Sequence, residues 1–493
     1  MSASLKRATV YAVKKETTAG ELIAPAAATD FIPGRPGESM TAELANLSTD
    51  TFINSIGATK PITGKESVSG SFPLYFKGKG ADGYPEYSVF LESQFGALSQ
   101  RTAADTVAAG STATVINVAD GTNYEVGQAL LINGKIRNVK SIATNALTLN
   151  FALPAAPTTG DAIGKYYGFK PANSGHPTYS LWNYVASGTE IAAAAGNRTT
   201  STNITMNANG LAEITFNYAG VKNFINPITI TSTNKYIDFE NTSAATKVAT
   251  IEEKVYQSPS ELADEIANKM TIAGGETYTC VFESIGTNAG KFKIGTVGTF
   301  KILWLTGTNT DNSAKTTLGY ANTDDTGAAY YYSDSTITYP VPFTPSYDAA
   351  DPFVLKNNEL FIGDATENIC RKASALSVTI ETPVTDVESI CATSGVLEKL
   401  ILSRTSKLTA SLLLEKHEIG LFDKLINNKT TQAMINIGPT SAGAYVATKG
   451  INIYLGNASI TSRNRSGDDV ILVDIEMSGF TTDTLEDIYL GFV

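Results

Sequence analysis

The chain contains the same run of elements twice. Around Glu66 it reads Ser67-Val68-Ser69-Gly70-Ser71-Phe72-Pro73-Leu74-Tyr75, an alternating strand. A polar turn follows, then a helix-like stretch through Tyr87 to Leu91 and Phe95. Around Lys407 the order returns as Leu408-Thr409-Ala410-Ser411-Leu412-Leu413-Leu414, then Ile419 to Phe422 and Leu425. Aligned on apolar positions, Val68, Phe72 and Leu74 match Leu408, Leu412 and Leu414. A strand precedes each copy, Ser39–Leu44 in the first and Ala375–Glu381 in the second. A hairpin closes each copy. The first runs Ile204–Gly210 into Glu213–Gly220; the second runs Ile460-Thr461, a turn over Asn464–Gly467, then Leu472–Gly479. Three like pairs in one order point to a duplicated unit.

Between the copies the period is mostly two. Short alternating runs are broken by Gly, Asn and Asp, the pattern of strands joined by tight turns. Charged residues make up only 17% of the chain and it holds 41 glycines, a mix that favours strands over helix bundles. Two helices are predicted against this background. Ser258-Pro259-Ser260-Glu261 supplies an N-cap, a proline at the first helical position and a glutamate at the third, and Leu262, Ile266 and Met270 follow at helical spacing. The second helix spans Glu418 to Asn427, with Ile419, Phe422, Leu425 and Ile426 on one face.

Two segments of different texture interrupt the repeat. Residues 103–165 carry short strands at Thr114–Val118, Ala129–Ile132 and Ala146–Leu149, joined by Asp120-Gly121 and Asn133-Gly134 turns, a small β module. Residues 223–337 combine the capped helix with strands at Thr277–Phe282, Lys291–Ile294 and Phe300–Trp304, an α+β module. The expected organisation is a discontinuous first unit over 1–102 and 166–222, these two insertions, and a second unit over 338–493.

Charge and chemistry exclude several functions. The net charge is −11, which disfavours an outer surface that captures nucleic acid or anionic membrane. No apolar run approaches the roughly 18 residues of a spanning helix. Met1–Lys15 has no apolar stretch between its basic residues and is not expected to be a signal peptide. Cys280, Cys370 and Cys391 share no CxxC spacing, so no zinc site or disulfide framework is expected, and the thiols are expected reduced.

No catalytic pattern emerges. His176 lies in the turn Ser174-Gly175-His176-Pro177, and His417 sits among Glu415, Lys416 and Glu418 on a solvated face. Gly64-Lys65-Glu66-Ser67 places a glutamate where a phosphate loop needs Ser or Thr. Thr323–Gly327 lacks the spaced oxygens of a calcium loop. The chain is expected to be no enzyme, with no cofactor and no metal. Such a chain works by assembly or binding, and open sheets lose their unpaired edges by closing into a ring with neighbouring subunits.

These residues resemble a known family. Arg7–Lys14, Lys60–Ser67 through Gly70-Ser71-Phe72, Lys170–Trp182 and Phe361–Glu367 are similar to tail tube (major tail) proteins of long-tailed bacteriophages and prophages. The resemblance implies a mainly β fold: two tube-type β-sandwich domains, each with a flanking helix, plus the two insertions. It implies trimeric, pseudo-sixfold rings stacked into a hollow conduit for double-stranded DNA. The implied partners are further copies of the chain, a tape-measure protein, and tail-tip, baseplate and terminator proteins, without membrane insertion. The implied location is the virion tail, with assembly in the host cytoplasm.

A conduit must not hold phosphates, so an acidic lumen is expected. Glu43, Asp50 and Glu66 in the first copy, and Glu381, Asp386 and Glu388 in the second, are its candidates. Inter-ring contacts are expected from Leu47, Asp50, Phe52 and Ile56, and from Ile390 and Leu397. The other readings are a surface adhesin binding glycans through Trp304 and Tyr330–Tyr332, and a capsid decoration protein.

Overall fold

A computed structural model describes residues 6–47, 62–186, 188–363, 367, 369–415, 419–467, 469–482 and 486–493. The chain is mainly β, with antiparallel sheets throughout. It divides into two compact units. One comprises residues 1–12, 181–194 and 223–344; the other comprises 13–180, 195–222 and 345–493.

The smaller unit is built around the helix Pro259–Gly274. Ser258 Oγ accepts from the Glu261 N–H at 3.2 Å, and Gly275 ends the helix in a left-handed conformation. Leu262, Ile266 and Met270 are buried against a five-stranded sheet that includes Tyr278–Glu283, Lys291–Ile302 and Asp325–Tyr332. Residues 181–194 belong to this unit through mutual hydrogen bonds between Ile191 and Asn226.

The larger unit holds both copies of the repeat. The first consists of β1 (Ser39–Leu47), β2 (Ile62–Tyr75), α1 (Ser88–Phe95), the part of β3 (Glu190–Asn207) from residue 195 onward, and β4 (Glu213–Gly220). The second begins with β5 (Ala373–Glu381), the hairpin β6 (Val384–Glu388) and β7 (Val396–Ile401), and β8 (Thr405–Leu413). It continues with α2 (Ile419–Ile426), β9 (Ile451–Ser466) and β10 (Leu472–Gly479).

Eight strands run edge to edge in the order β1-β2-β4-β3-β5-β8-β10-β9, all antiparallel. The second four repeat the connectivity of the first four, and the β3–β5 pairing joins the copies. The two hairpins share a bulge. Thr200 is left unpaired between Thr199 and Ser201, and Thr461 between Ile460 and Ser462.

The register corrects the sequence alignment. Glu43 faces Ser67 and Glu381 faces Thr405, so Val68, Phe72 and Leu74 correspond to Ser406, Ala410 and Leu412, two positions before the leucines chosen from the sequence. A shift of two preserves the buried face, which is why apolar pattern alone could not detect it. The second turn is also shorter than read. Asn464, Arg465 and Ser466 are paired strand residues facing Asp474, Val473 and Leu472.

One face of this sheet packs on α1. Phe90 lies 4.8 Å from the Phe216 ring, 5.6 Å from Phe72 and 5.0 Å from Tyr179. Gly96 stops α1 at φ 86°, and a Cβ there would meet the His176 ring at 2.9 Å. His176 is thereby a structural residue. Its Nδ1 and Nε2 each lie 3.0 Å from a backbone carbonyl, of Ser93 and Ala172 respectively. His417 lies outside the described residues.

Residues 103–165 form a six-stranded sheet around Ile116, Leu130, Val139 and Leu147. Asn133 and Gly134, at φ 50° and 71°, make its tight turn. The buried Asn138 amide donates to Asn452 Oδ1 at 2.7 Å, which ties this module to β9.

The stacked rings set an expected energy scale. Phe90→Ala should destabilise the larger unit by about 3–5 kcal/mol, the range for emptying a large buried aromatic site. The midpoint of its urea unfolding transition measures this, and an unchanged midpoint would contradict the packing described.

Candidate functional site

Strand parity sorts the eight-stranded sheet into two unlike faces. Val68, Phe72, Phe216, Ile204, Val378, Ile380, Leu412 and Ile475 point to the core and are buried. Their neighbours in sequence point the other way, and most are Ser, Thr or Asn. Examples are Thr41, Ser69, Asn203, Asn217, Thr379 and Thr409, half-buried at most. Among the described residues of these paired strands, the polar face carries five acids, Glu43, Glu213, Glu381, Asp474 and Glu476. Against them stand Lys407, which ion-pairs with Glu476 at 3.6 Å, and by parity Lys65 and Arg198, both engaged by acids of the β6–β7 hairpin. Arg35, outside the strands, holds Glu213 at 2.7 Å.

The proposed lumen residues are distributed unevenly. Glu43 and Glu381 occupy equivalent positions on the polar face, and both are exposed. Glu66 is on the other face, because it alternates with Ser67 and shares its parity with buried Val68; its N–H bonds to Ser394 O at 3.0 Å. Asp386 and Glu388 lie on the β6–β7 hairpin. Both accept from Lys65 Nζ at 2.9 Å, and Asp386 also accepts from Lys399 at 2.5 Å. They clamp the hairpin to β2. Asp50, Phe52 and Ile56 lie outside the described residues.

Partial burial pushes the Asp386 carboxyl up, but the hydrogen bonds and charges of Lys399 and Lys65 outweigh it and hold it below the usual aspartate range. Lys65 is held above the usual lysine range by the same two carboxylates.

The remaining inter-ring candidates are strongly exposed apolar side chains. Leu47 is paired with Ile62 at the end of β1–β2, and the two are 58% and 57% exposed. Ile390, at the tip of β6–β7, is fully exposed, and Leu397 is 56% exposed. The hairpin occupies, between β5 and β8, the connection that residues 48–61 make between β1 and β2.

Sequence reasoning passed over Glu213, Asp474 and Glu476. The signal was available: each alternates with a buried Ile or Val in a period-two run.

Both ends of the sheet are open. Among the described residues β1 pairs only with β2, and the Ser459–Ser466 part of β9 pairs only with β10. On α2, Phe422 and Ile426 are 48% and 64% exposed, whereas the equivalent helix α1 buries Phe90, Leu91, Gln94 and Phe95.

In the smaller unit Trp304 is fully buried, its Nε1 donating to Asp325 at 3.0 Å, so it cannot belong to an exposed sugar platform. Tyr331 turns inward to donate to Phe300 O, leaving Tyr330 and Tyr332 beside Lys293 on the opposite face. Asp324 is engaged by another segment, accepting from the Leu305 and Thr306 N–H groups. Among the described residues no cluster of His, Cys, Asp or Glu has the arrangement of a metal site.

No family model and no curated protein matches the sequence. Among solved structures, a chain of one described as "Virion of native gene transfer agent (GTA) particle" is similar over 27% of this chain and 95% of its own length. Its identity is 12% and its TM-score 0.20.

The clamp sets a pH dependence. A carboxyl whose folded pKa is depressed stabilises above its unfolded value, roughly 3.9, and that stability is lost as pH falls through the folded value. Hydrogen exchange of the β6–β7 amides, corrected for intrinsic rates, should stay flat from pH 7 to about 4.5 and rise below it. In Lys65→Met the carboxyl returns toward its ordinary range, so exchange at pH 7 should be faster than in the wild type and the further rise on acidification smaller.

Proposed function

We propose that this chain is a structural virion subunit whose copies close into rings, three chains to a pseudo-sixfold ring, and stack into a hollow tail tube that passes double-stranded DNA. The observation that carries this reading is the polar face of the eight-stranded sheet. It is wide, built of short uncharged side chains, and carries more carboxylates than amines. Each lysine or arginine that neutralises a phosphate releases counterions and adds affinity. A wall with few such partners, those it has being paired with its own acids, and with an excess of fixed negative charge, keeps DNA from adhering.

The open edges at β1 and β9 support ring closure, since exposed rows of N–H and C=O groups are a template for further strand pairing. Stacking is assigned to the exposed apolar residues Leu47, Ile62, Ile390 and Leu397. By its resemblance to tail tube proteins, the chain would meet a tape-measure protein along the lumen, and tail-tip and terminator proteins at the tube's ends.

Negative-stain microscopy of the purified, concentrated protein tests the reading. Rings or hollow tubes are expected; monomers under all conditions would overturn it. The wall is tested by Ser69→Lys/Asn217→Lys/Thr409→Lys, on the polar face away from the strand edges. These tubes should form and retain linear duplex DNA at low salt, where wild-type tubes do not. Retention should weaken with a slope of about 0.9 in log affinity per phosphate contact as log salt rises. Equal retention by both would count against an anti-adhesive wall. Ile390→Asp/Leu397→Asp should leave rings that fail to stack, seen as single rings in the same images.

A further inference from the structure

The seam between the two copies supplies a template for the open edges. Across it, Ser201 faces Glu381, Asn203 faces Thr379 and Thr205 faces Ser377 on the polar side. Asn203 Oδ1 accepts from Ser377 Oγ at 3.1 Å and from Thr379 Oγ1 at 3.4 Å. On the core side Thr202, Ile204 and Met206 face Ile380, Val378 and Leu376.

The shared bulge and the shared pairing register fix which residues of the open edges are equivalent. Ser201, Asn203 and Thr205 of β3 correspond to Ser462, Asn464 and Ser466 of β9. Glu381, Thr379 and Ser377 of β5 correspond to Glu43, Thr41 and Ser39 of β1. Five of the six polar-side residues are identical between the seam and the open edges, and the sixth exchanges Thr for Ser. The edges thus carry the side chains of a seam that the single chain does not make.

We propose that Ser462–Ser466 of β9 pairs antiparallel with Ser39–Glu43 of β1 from a second copy of this chain, Ser462 opposite Glu43, Asn464 opposite Thr41 and Ser466 opposite Ser39. This rests on the ring reading above and specifies its contact. The core side differs in a complementary way. Where the internal seam sets Thr202 and Ile204 against Ile380 and Val378, the second seam sets Arg463 and Arg465 against Ala42 and Met40. The long arginines fill the space left by the smaller Ala42.

A donor is also supplied where the internal seam uses one. Gln94 of α1 accepts from Thr202 Oγ1 at 2.6 Å and donates to Ile380 O at 2.9 Å, bridging the two copies. Ala42 takes the place of Ile380, and Arg463 that of Thr202. The Arg463 guanidinium lies 5.7 Å from the exposed Phe422 ring of α2, with its buried Nε lacking a hydrogen-bond partner among the described residues. It is positioned to donate across the seam as Gln94 does. Inward-pointing arginines also discourage promiscuous pairing of an open edge.

Disulfide trapping tests the register, because a bridge needs Cα atoms about 4.4–6.8 Å apart. In a Cys370→Ser/Cys391→Ser background, Thr41→Cys/Asn464→Cys should oxidise to a ladder of linked chains on a denaturing gel. The ladder should end at the number of chains in the ring, three in the proposed assembly. Glu43→Cys/Ser466→Cys, four positions out of register and so about 13 Å apart, should stay unlinked. Asn203→Cys/Thr379→Cys, which should close within one chain, reports correct folding. Rings in micrographs with no Thr41→Cys/Asn464→Cys ladder, or with a ladder from the out-of-register pair, would overturn the seam and leave the ring reading standing. A folded protein that stays monomeric in the same preparations would overturn both.

Discussion

The backbone of a β-sheet obliges its own completion. Every strand carries hydrogen-bonding groups on both sides, and those at an edge remain unsatisfied unless water or another strand meets them. The β3–β5 seam meets this requirement between the two copies within the chain. It joins four strands to four and buries Ile204 against Val378 and Thr202 against Ile380. Gln94 adds side-chain bonds that reach from one copy to the other. What one copy requires at its edge, the other supplies, and β1 and β9 remain with the same requirement at the two ends.

The second constraint is strand parity. Alternation places Phe, Ile, Val and Leu on the α1 side and Ser, Thr and Asn on the other, so one sheet serves both as core wall and as polar surface. Small hydroxyl and amide side chains suit such a surface. They satisfy hydrogen bonds locally, as Ser411 does in donating to Asp474 at 2.6 Å, and they project little beyond the backbone. The acids on this face have few cationic partners, and the field it presents to a polyanion is therefore repulsive.

Much of this architecture was legible in the sequence because it rests on local rules. Period two marked the strands, Ser258 and Pro259 marked a helix start, and Asn133-Gly134 marked a tight turn. What was not legible depends on register or on distant partners. The repeats were aligned two positions off because Leu408 and Ser406 point to the same face. Glu66 was grouped with Glu43 although one intervening residue reverses its direction. Asp386 and Glu388 looked like free acids, since nothing local shows that Lys65, more than 300 residues earlier, sits between them. Trp304 looked available as a platform, and only the packed sheet around it hides the ring. Glu213, Asp474 and Glu476 were readable from alternation with their buried neighbours.

Duplication changes the physics of closing a ring. Where two copies are covalently joined, one seam in every two forms during folding, and its partner strands are held at high effective concentration. Only the remaining seams depend on protein concentration, so the two kinds can diverge. The internal seam has done so on its core side, with the aliphatic pair Ile204 and Val378. The open edges instead carry Arg463 and Arg465, which are costly to bury without a matched partner, and the smaller or more flexible Ala42 and Met40. Under the proposed seam, an edge of that composition tolerates water before assembly and disfavours strands that lack the matching polar row. The exposed Phe422 and Ile426 on α2 fit the same logic. The helix beside the internal seam buries Phe90, Leu91 and Phe95, whereas its equivalent α2 leaves Phe422 and Ile426 exposed, the side on which the proposed ring would set a neighbouring subunit.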